Sequence, residues 1–314
     1  MKIYSRYARN YHPEQQKDGS MLRIAVGPGG GAPRFTAWTE TVMKAWTKRE
    51  WSWDIDGVSL HNYTVIDWEK KHAATGFGEK EYAEILQATL KMDNLIAQHE
   101  AIMDRYDPQR KLMLAVDEWG AWYAPAEGTN PGFLVQQNSL RDAVLAALNL
   151  NIFARHAQRV RMANIAQMVN VLQGMILTDN EKMLLTPTYH VFRMYVPFQD
   201  ATFVPVQLEE GSWSQGSIQL PRLDAIAAKD PAGRLLLSVT NIDPVRPATI
   251  NLNVAGSSPG SVSAQTLTAD RVDSINTFDS PDTVAPKPLT ATLEAGQLRA
   301  TLPPKSVSVF ILSP

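Results

Sequence analysis

The sequence predicts two regions of different class, a parallel α/β region followed by an all-β sandwich. Three observations carry this. Before residue 200, short apolar runs alternate with amphipathic helical stretches, the pattern of parallel strands covered by helices. Beyond it, short strands recur between Pro, Gly and Asp breaks, the pattern of a sandwich. Composition turns over at the same place. All 11 Met, all 6 His and 7 of the 8 Trp precede residue 200, Trp213 being the exception.

The elements follow in order. Residues 21–28 read as a buried strand ending in a Gly/Pro loop. Residues 38–46 read as a helix and 56–63 as a second strand. Residues 79–105 form a long helix, with Tyr82, Ile85, Leu86, Leu90, Leu95 and Ile96 near helical spacing. It stops before Asp107-Pro108, because the residue preceding a proline disfavours helix. Residues 111–120 are a third strand. Residues 138–153 are a helix with Asn138 as candidate cap. Residues 159–164 are a fourth strand and 187–195 a closing helix. In the tail, 235–241, 248–254 and 306–312 are the clearest strands. Polar and aromatic residues gather at the C-terminal strand ends: Asn62 and Tyr63, Glu118 and Trp119, Asn164 and Gln167. In a (β/α)8 barrel that is the catalytic face. A full barrel needs eight strands and about 250 residues, and four strands are read here.

Composition excludes several classes. The 314 residues carry a net charge of −2 without a basic stripe, so nucleic acid and anionic membranes are not expected partners. No apolar run reaches the length of about 18 residues that a membrane helix needs. The absence of cysteine removes disulfides, thiolate zinc sites and a cysteine nucleophile. His-x-x-x-His and His-Glu-x-x-His spacings are missing, so no metal site is predicted, and no serine elbow is predicted either. The segment Gly27-Pro28-Gly29-Gly30-Gly31-Ala32-Pro33 follows a strand. It lacks Gly-Lys-Ser/Thr and carries two prolines without amide donors, so it is not a phosphate cradle.

Chemistry concentrates at Asp117-Glu118-Trp119-Gly120. A carboxylate at a strand tip suits nucleophilic or acid/base work, and the indole offers an apolar face to a sugar ring. Two solvated loop acids are the plainer alternative. If the strand continues, Asp117 and Glu118 point to opposite faces and only one is reactive. His61 and Tyr63, at i and i+2, share a face. A tyrosine hydroxyl donating to a glutamate would keep it ionised and aimed; a satisfied core histidine beside an interfacial tyrosine is the alternative. Asn164, Gln167 and Asn170 are costly to bury unpaired, and either ligand hydroxyls or backbone groups can serve them. Trp122 and Tyr123 form a sugar-stacking wall or pack under their own loop.

Four blocks in order resemble an α-L-arabinofuranosidase of glycoside hydrolase family 51. They are residues 23–28, Val58-Ser59-Leu60-His61-Asn62-Tyr63, Asp117-Glu118-Trp119 and Ala166-Gln167-Met168-Val169-Asn170-Val171. The resemblance implies the second half of a (β/α)8 barrel, strands five to eight, over residues 1–198 and a β-sandwich over 199–314. It implies a retaining enzyme that removes terminal arabinofuranosyl groups from arabinoxylan, arabinan or arabino-oligosaccharides. Glu118 falls on the nucleophile. His61, Tyr63, Trp122 and Gln167 fall on substrate-binding positions. No metal or organic cofactor is implied, and the intact enzyme is expected to be a cytoplasmic homo-oligomer.

The chain departs from the family in one respect. The family's acid/base is the Glu of a Gly-Asn-Glu segment, and no Asn-Glu pair precedes the matching region. Residues 4–11 resemble the helix that follows that segment, so the expectation is a chain that begins just after it. A retaining glycosidase needs two carboxyls about 5–5.5 Å apart, and acid–base assistance is worth about 10²–10⁴-fold. Open sheet edges would also favour self-association. Two other readings stand beside the enzyme: a non-catalytic carbohydrate-binding or assembly protein, and an endoglucanase or xylosidase of the same family.

Overall fold

A computed structural model describes residues 21–48, 55–209, 211–254, 259–294 and 296–314. The helix expected from residues 4–11 lies outside them. The chain divides into two compact units. One takes the described residues up to Tyr63, with Lys91–Trp119 and His156–Ile165; the other takes Thr64–Leu90, Gly120–Arg155 and Ala166–Pro314.

The first unit is built on a four-stranded sheet in chain order: β1 (Ile24–Ala25), β2 (Gly57–Thr64), β3 (Met113–Ala121) and β4 (Val160–Ile165). β1 runs parallel to β2, and β3 to β4. Helices α1 (Pro33–Lys48), α2 (Glu79–Tyr106) and α3 (Leu140–Arg155) separate successive strands along the chain, as the alternation predicted. Val58, Ser59 and Leu60 of β2 and Met113 to Val116 of β3 are all buried. Such unbroken buried runs belong to sheets covered on both faces. The first strand is shorter than residues 21–28 suggested, pairing only at Ile24 and Ala25.

α2 buries Tyr82, Ile85, Leu86, Leu95 and Ile96 of the predicted stripe; Leu90 is only half-buried, and Met92 is buried beside them. It ends where expected, and Asp107 then accepts a hydrogen bond from the Leu112 amide at 2.8 Å. Arg159, fully buried, closes the same corner. It donates to the Asp107 carboxylate and the Leu112 carbonyl, both at 2.8 Å, and pairs with Asp104. A buried guanidinium needs such partners to offset its lost hydration. His156 sits nearby between Glu100 at 2.8 Å and Asp93 at 3.3 Å. Hydrogen bonds to those carboxylates push its pKa up to about 9.

The second unit holds α3, α4 (Pro187–Tyr195) and the antiparallel strands. One sheet runs β14 (Lys287–Pro288), β13 (Ser261–Leu267), β17 (Ser306–Ser313), β11 (Leu235–Asn241), β10 (Leu223–Lys229), β7 (Thr202–Val204). A second runs β12 (Ala248–Asn253), β16 (Gln297–Leu302), β15 (Ala291–Glu294). Leu223, Leu237, Val239 and Phe310 of the first sheet share one apolar core with Ile250, Leu298 and Leu302 of the second. This is the expected sandwich. Two hairpins complete the unit, β5 (Ile176–Asp179) with β6 (Lys182–Leu185), and β8 (Ser212–Gln215) with β9 (Ile218–Pro221).

α3 corrects one expectation. Asn138 does not cap it. Its amide donates to the Gly174 carbonyl at 2.6 Å and its oxygen accepts from Gln173 at 3.1 Å. Ser139 precedes the helix instead, and the Asp142 carboxylate reaches back to the Ser139 amide at 2.7 Å, half of a capping box. Every residue from Leu140 to Asn149 is buried.

Candidate active site

The candidate residues of the first unit meet at the ends of β2 and β3. Tyr63 donates its hydroxyl to Glu118 Oε2 at 2.7 Å. His61 Nδ1 lies 3.5 Å from Asp117 Oδ1, each side chain a little over one-third exposed. The two neighbours Asp117 and Glu118 thus both serve residues of one face of β2, not opposite faces. The cause is a register irregularity. Val116 pairs with Ala163 and Trp119 with Ile165, so three steps of β3 match two of β4. An extra residue of that kind bends a strand and re-aims its side chains.

Burial raises the Tyr63 hydroxyl well above the ordinary tyrosine range, and the accepting Glu118 carboxylate and the Asp117 charge add to this. Tyr63 therefore stays a proton-bearing donor throughout the neutral range. Glu118 is exposed, so its carboxylate is reachable while one oxygen is held. Trp119 is the opposite case. It is fully buried and offers no face to a sugar; it is core.

The glycine loop dismissed as a phosphate cradle has a structural use that its sequence did not reveal. The Gly27 amide donates to Ser59 Oγ at 3.0 Å, and a Cβ at residue 27 would lie 1.5 Å from the Ser59 carbonyl oxygen. A Cβ at residue 29 would lie 2.7 Å from His61 Nε2. Only glycine lets the loop approach β2 this closely. The far side of the loop is held by His99, whose Nε2 lies 3.2 Å from the Gly30 carbonyl and whose Nδ1 lies 2.9 Å from Thr39 Oγ1. Burial holds this imidazole below its ordinary pKa.

Trp122 and Gln167 belong to the second unit. The Trp122 ring stands edge-on to Trp68, with centroids 5.7 Å apart and planes at 72°. The Lys71 ammonium lies 5.5 Å from the Trp68 ring and 5.8 Å from the Trp122 ring. Tyr123 packs under its own loop: it is buried and donates to Asp142 at 2.9 Å. Gln136 clasps both neighbours of Trp122. It accepts from the Tyr123 amide at 2.9 Å and donates to the Ala121 carbonyl at 3.1 Å.

Gln167 is exposed on a loop closed by a bond from the Gln173 amide to the Ala166 carbonyl at 3.0 Å. Asn170 takes the plainer option, pairing its amide with the backbone and hydroxyl of Thr178. Asn164 is exposed. Gln173 donates to Asp142 at 3.0 Å, so one buried carboxylate anchors both the segment after β3 and the Gln167 loop. Sequence reasoning missed Asp142 and Gln173, whose partners lie 19 and 31 residues apart along the chain. Among the described residues, no group of three or more His, Cys, Asp or Glu side chains is arranged to hold a metal ion. No helix among them is long and apolar enough to cross a membrane.

A carboxylate held by a tyrosine at a strand end, on an α/β sheet followed by a β-sandwich, defines a class, that of the glycoside hydrolases. A model of the α-L-arabinofuranosidase C-terminal domain matches residues 117–306. The chain belongs to that family, within glycoside hydrolase family 51. Over 97% of its length it is 38% identical to an intracellular exo-α-L-arabinofuranosidase of Bacteroides ovatus, covering 57% of that protein. It is 25% identical over 93% of its length to an intracellular exo-α-(1→5)-L-arabinofuranosidase of Bifidobacterium longum, covering 56% of it. Among solved structures, the family-51 arabinofuranosidase of Xanthomonas axonopodis pv. citri superposes with a TM-score of 0.91 at 44% identity, over 99% of this chain and 61% of that one. The chain therefore spans a little over half the length of the curated relatives it matches.

Proposed function

We propose that this chain supplies the nucleophile and part of the sugar site of a retaining exo-α-L-arabinofuranosidase. In this reading residues 1–198 form the second half of a (β/α)8 barrel and 199–314 the sandwich. The observation that carries it is the 2.7 Å hydrogen bond from Tyr63 to the exposed carboxylate of Glu118. Glu118 attacks the anomeric carbon of a terminal arabinofuranosyl group as the bond to the leaving oxygen breaks, giving a covalent arabinosyl-enzyme. Water then attacks the same carbon, giving up one proton that balances the one taken up by the leaving oxygen, and releases arabinose and the Glu118 carboxylate. We assign the acid/base role to no residue of this chain.

His61, Tyr63, Trp122 and Gln167 hold the arabinose. The substrates are arabinoxylan, arabinan and arabino-oligosaccharides. The names of the relatives from Bacteroides ovatus and Bifidobacterium longum support both the exo action and an intracellular location. Self-association into a homo-oligomer is part of the same reading, and nucleic acid and membranes are no part of it.

The test is release of a good aryl leaving group from an aryl α-L-arabinofuranoside, with Glu118→Ala beside it. Such a leaving group needs little acid assistance, so the nucleophile is examined nearly alone. Turnover lost in Glu118→Ala supports the assignment; turnover unchanged in that variant removes it.

A further inference from the structure

Three segments of the second unit are tied together by backbone hydrogen bonds around Gln167. The Leu172 amide donates to the Leu134 carbonyl at 3.0 Å, the Gln167 amide to the Val171 carbonyl at 3.2 Å, and the Ile176 amide to the Met168 carbonyl at 3.0 Å. Four large apolar side chains stand exposed on them: Phe133 at 66%, Met168 at 58%, Val169 at 41% and Met183 at 64%. Apolar groups gathered at linked segments, rather than scattered singly, mark a binding surface.

The backbone beneath them is costly to build. Leu134, Asn170 and Leu172 have φ of 52°, 61° and 50°, a region that asparagine tolerates and that bulky side chains such as leucine rarely enter. Strain of this kind persists where the surroundings over-determine it, and it concentrates at ligand clamps. The Phe133 turn is also stiff. Pro131 opens it, the Asn130 side chain accepts from the Gly132 amide at 2.9 Å, and the Phe133 amide donates to the Asn130 carbonyl at 3.0 Å. The ring is presented to solvent on a fixed support.

The chemistry of the surface narrows its occupant. Residues 131–135 and 166–174 contain no ionisable side chain, so nothing in these two segments attracts a charged partner; the hairpin that carries Met183 exposes Asp179, Glu181 and Lys182, and Met183 lies outside the neutral surface. Apolar faces beside the amide of Gln167 suit a neutral molecule with apolar faces and hydroxyl edges, which is a sugar ring. We propose that Phe133, Met168 and Val169 form an apolar rim that binds the sugar rings of the glycan bearing the arabinofuranosyl group, next to the group held by Gln167. The inference rests on the assignment of Gln167 made above and extends it to the part of the substrate beyond the arabinose.

Native electrophoresis of the 314-residue chain through gels containing soluble arabinoxylan or debranched arabinan tests it, with dextran as the neutral control. Phe133→Ala is expected to raise the apparent Kd for the arabinose-bearing polymer about tenfold, and Met168→Gln about two- to threefold. Both side chains are exposed, so unchanged melting confirms that the variants fold. Equal retardation of parent and Phe133→Ala overturns the rim, as does a parent that no such polymer retards. Light scattering covers the rival occupant: if Phe133→Ala breaks a self-associated parent into smaller species, the surface is an interface between copies and the proposal falls.

Aryl α-L-arabinofuranoside turnover is scored separately, because that substrate has no sugar beyond the arabinose. It is expected to be unchanged by Phe133→Ala. Polymer retardation unchanged in Phe133→Ala, with turnover still abolished by Glu118→Ala, defeats the rim and leaves the enzyme assignment standing. Turnover indifferent to Glu118 defeats the assignment itself.

Discussion

Two of the chain's carboxylate–tyrosine pairs differ in everything except their chemistry. Glu118 accepts from Tyr63 at 2.7 Å at an exposed strand end. Asp142 accepts from Tyr123 at 2.9 Å in a fully buried position. Asp142 is saturated, because Gln173 and both the amide and hydroxyl of Ser139 also donate to it, at 3.0, 2.7 and 3.0 Å. A carboxylate with every lone pair engaged has become part of the scaffold. One that is held at a single oxygen and left open to solvent retains capacity to react.

Four measurements sharpen or break this contrast. The largest effect is expected from Glu118→Ala, which should lower aryl arabinofuranoside turnover on the order of 10⁴-fold or more. Its stability should stay within about 0.5 kcal/mol, as for other exposed sites. Asp142→Ala should do the reverse to the fold. Four donors lose their acceptor in the interior, and urea titration should report a loss of about 3–5 kcal/mol. A loss below about 1 kcal/mol would erase the distinction between the two pairs.

Tyr63→Phe removes only the donor. kcat/KM should fall about 10- to 100-fold, the worth of one charge-assisted hydrogen bond, with melting nearly unmoved. The smallest effect concerns the fold alone. The folded pKa of His156 is raised to about 9, above the unfolded value of about 6.5. Its contribution is therefore complete below about pH 6.5 and is lost as pH rises through 9. Because Asp93 is half exposed, the contribution should be of order 1 kcal/mol. The difference in stability between the parent and His156→Ala should shrink by that amount from pH 6 to pH 10. A pH-independent difference would remove the ion-pair account.

Local pattern made the elements legible, and long-range pairing hid the rest. β2, β3, α2 and α4 fall within two residues of their expected bounds, because apolar runs and proline stops are local signals. Tyr63 meeting Glu118 followed from two strand ends in a β/α order. The orientation of Asp117 did not, because alternation along β3 is broken by a register shift that only β4 reveals. Trp119 looked like a sugar platform since sequence cannot tell which aromatic residue of a strand end turns inward. Asn138 was mistaken for a cap because its true partners, Gly174 and Gln173, lie 36 and 35 residues on. The rim around Phe133 was invisible for the same reason.

The burial of α3 has a consequence for how the protein is made. Asn151 on that helix donates to Asp224 at 2.7 Å, 73 residues later, and Tyr195 links Asn151 to Ser238. At about 5–20 residues per second, Asn151 is added to the chain about 4–15 s before Asp224. Through that interval the apolar side chains of Leu140 to Leu148, destined for the interior, lack the strands β10 and β11 that later pack against the helix. The order of the segments in the chain thus leaves α3 without its partners Asp224 and Ser238 until translation has passed residue 238.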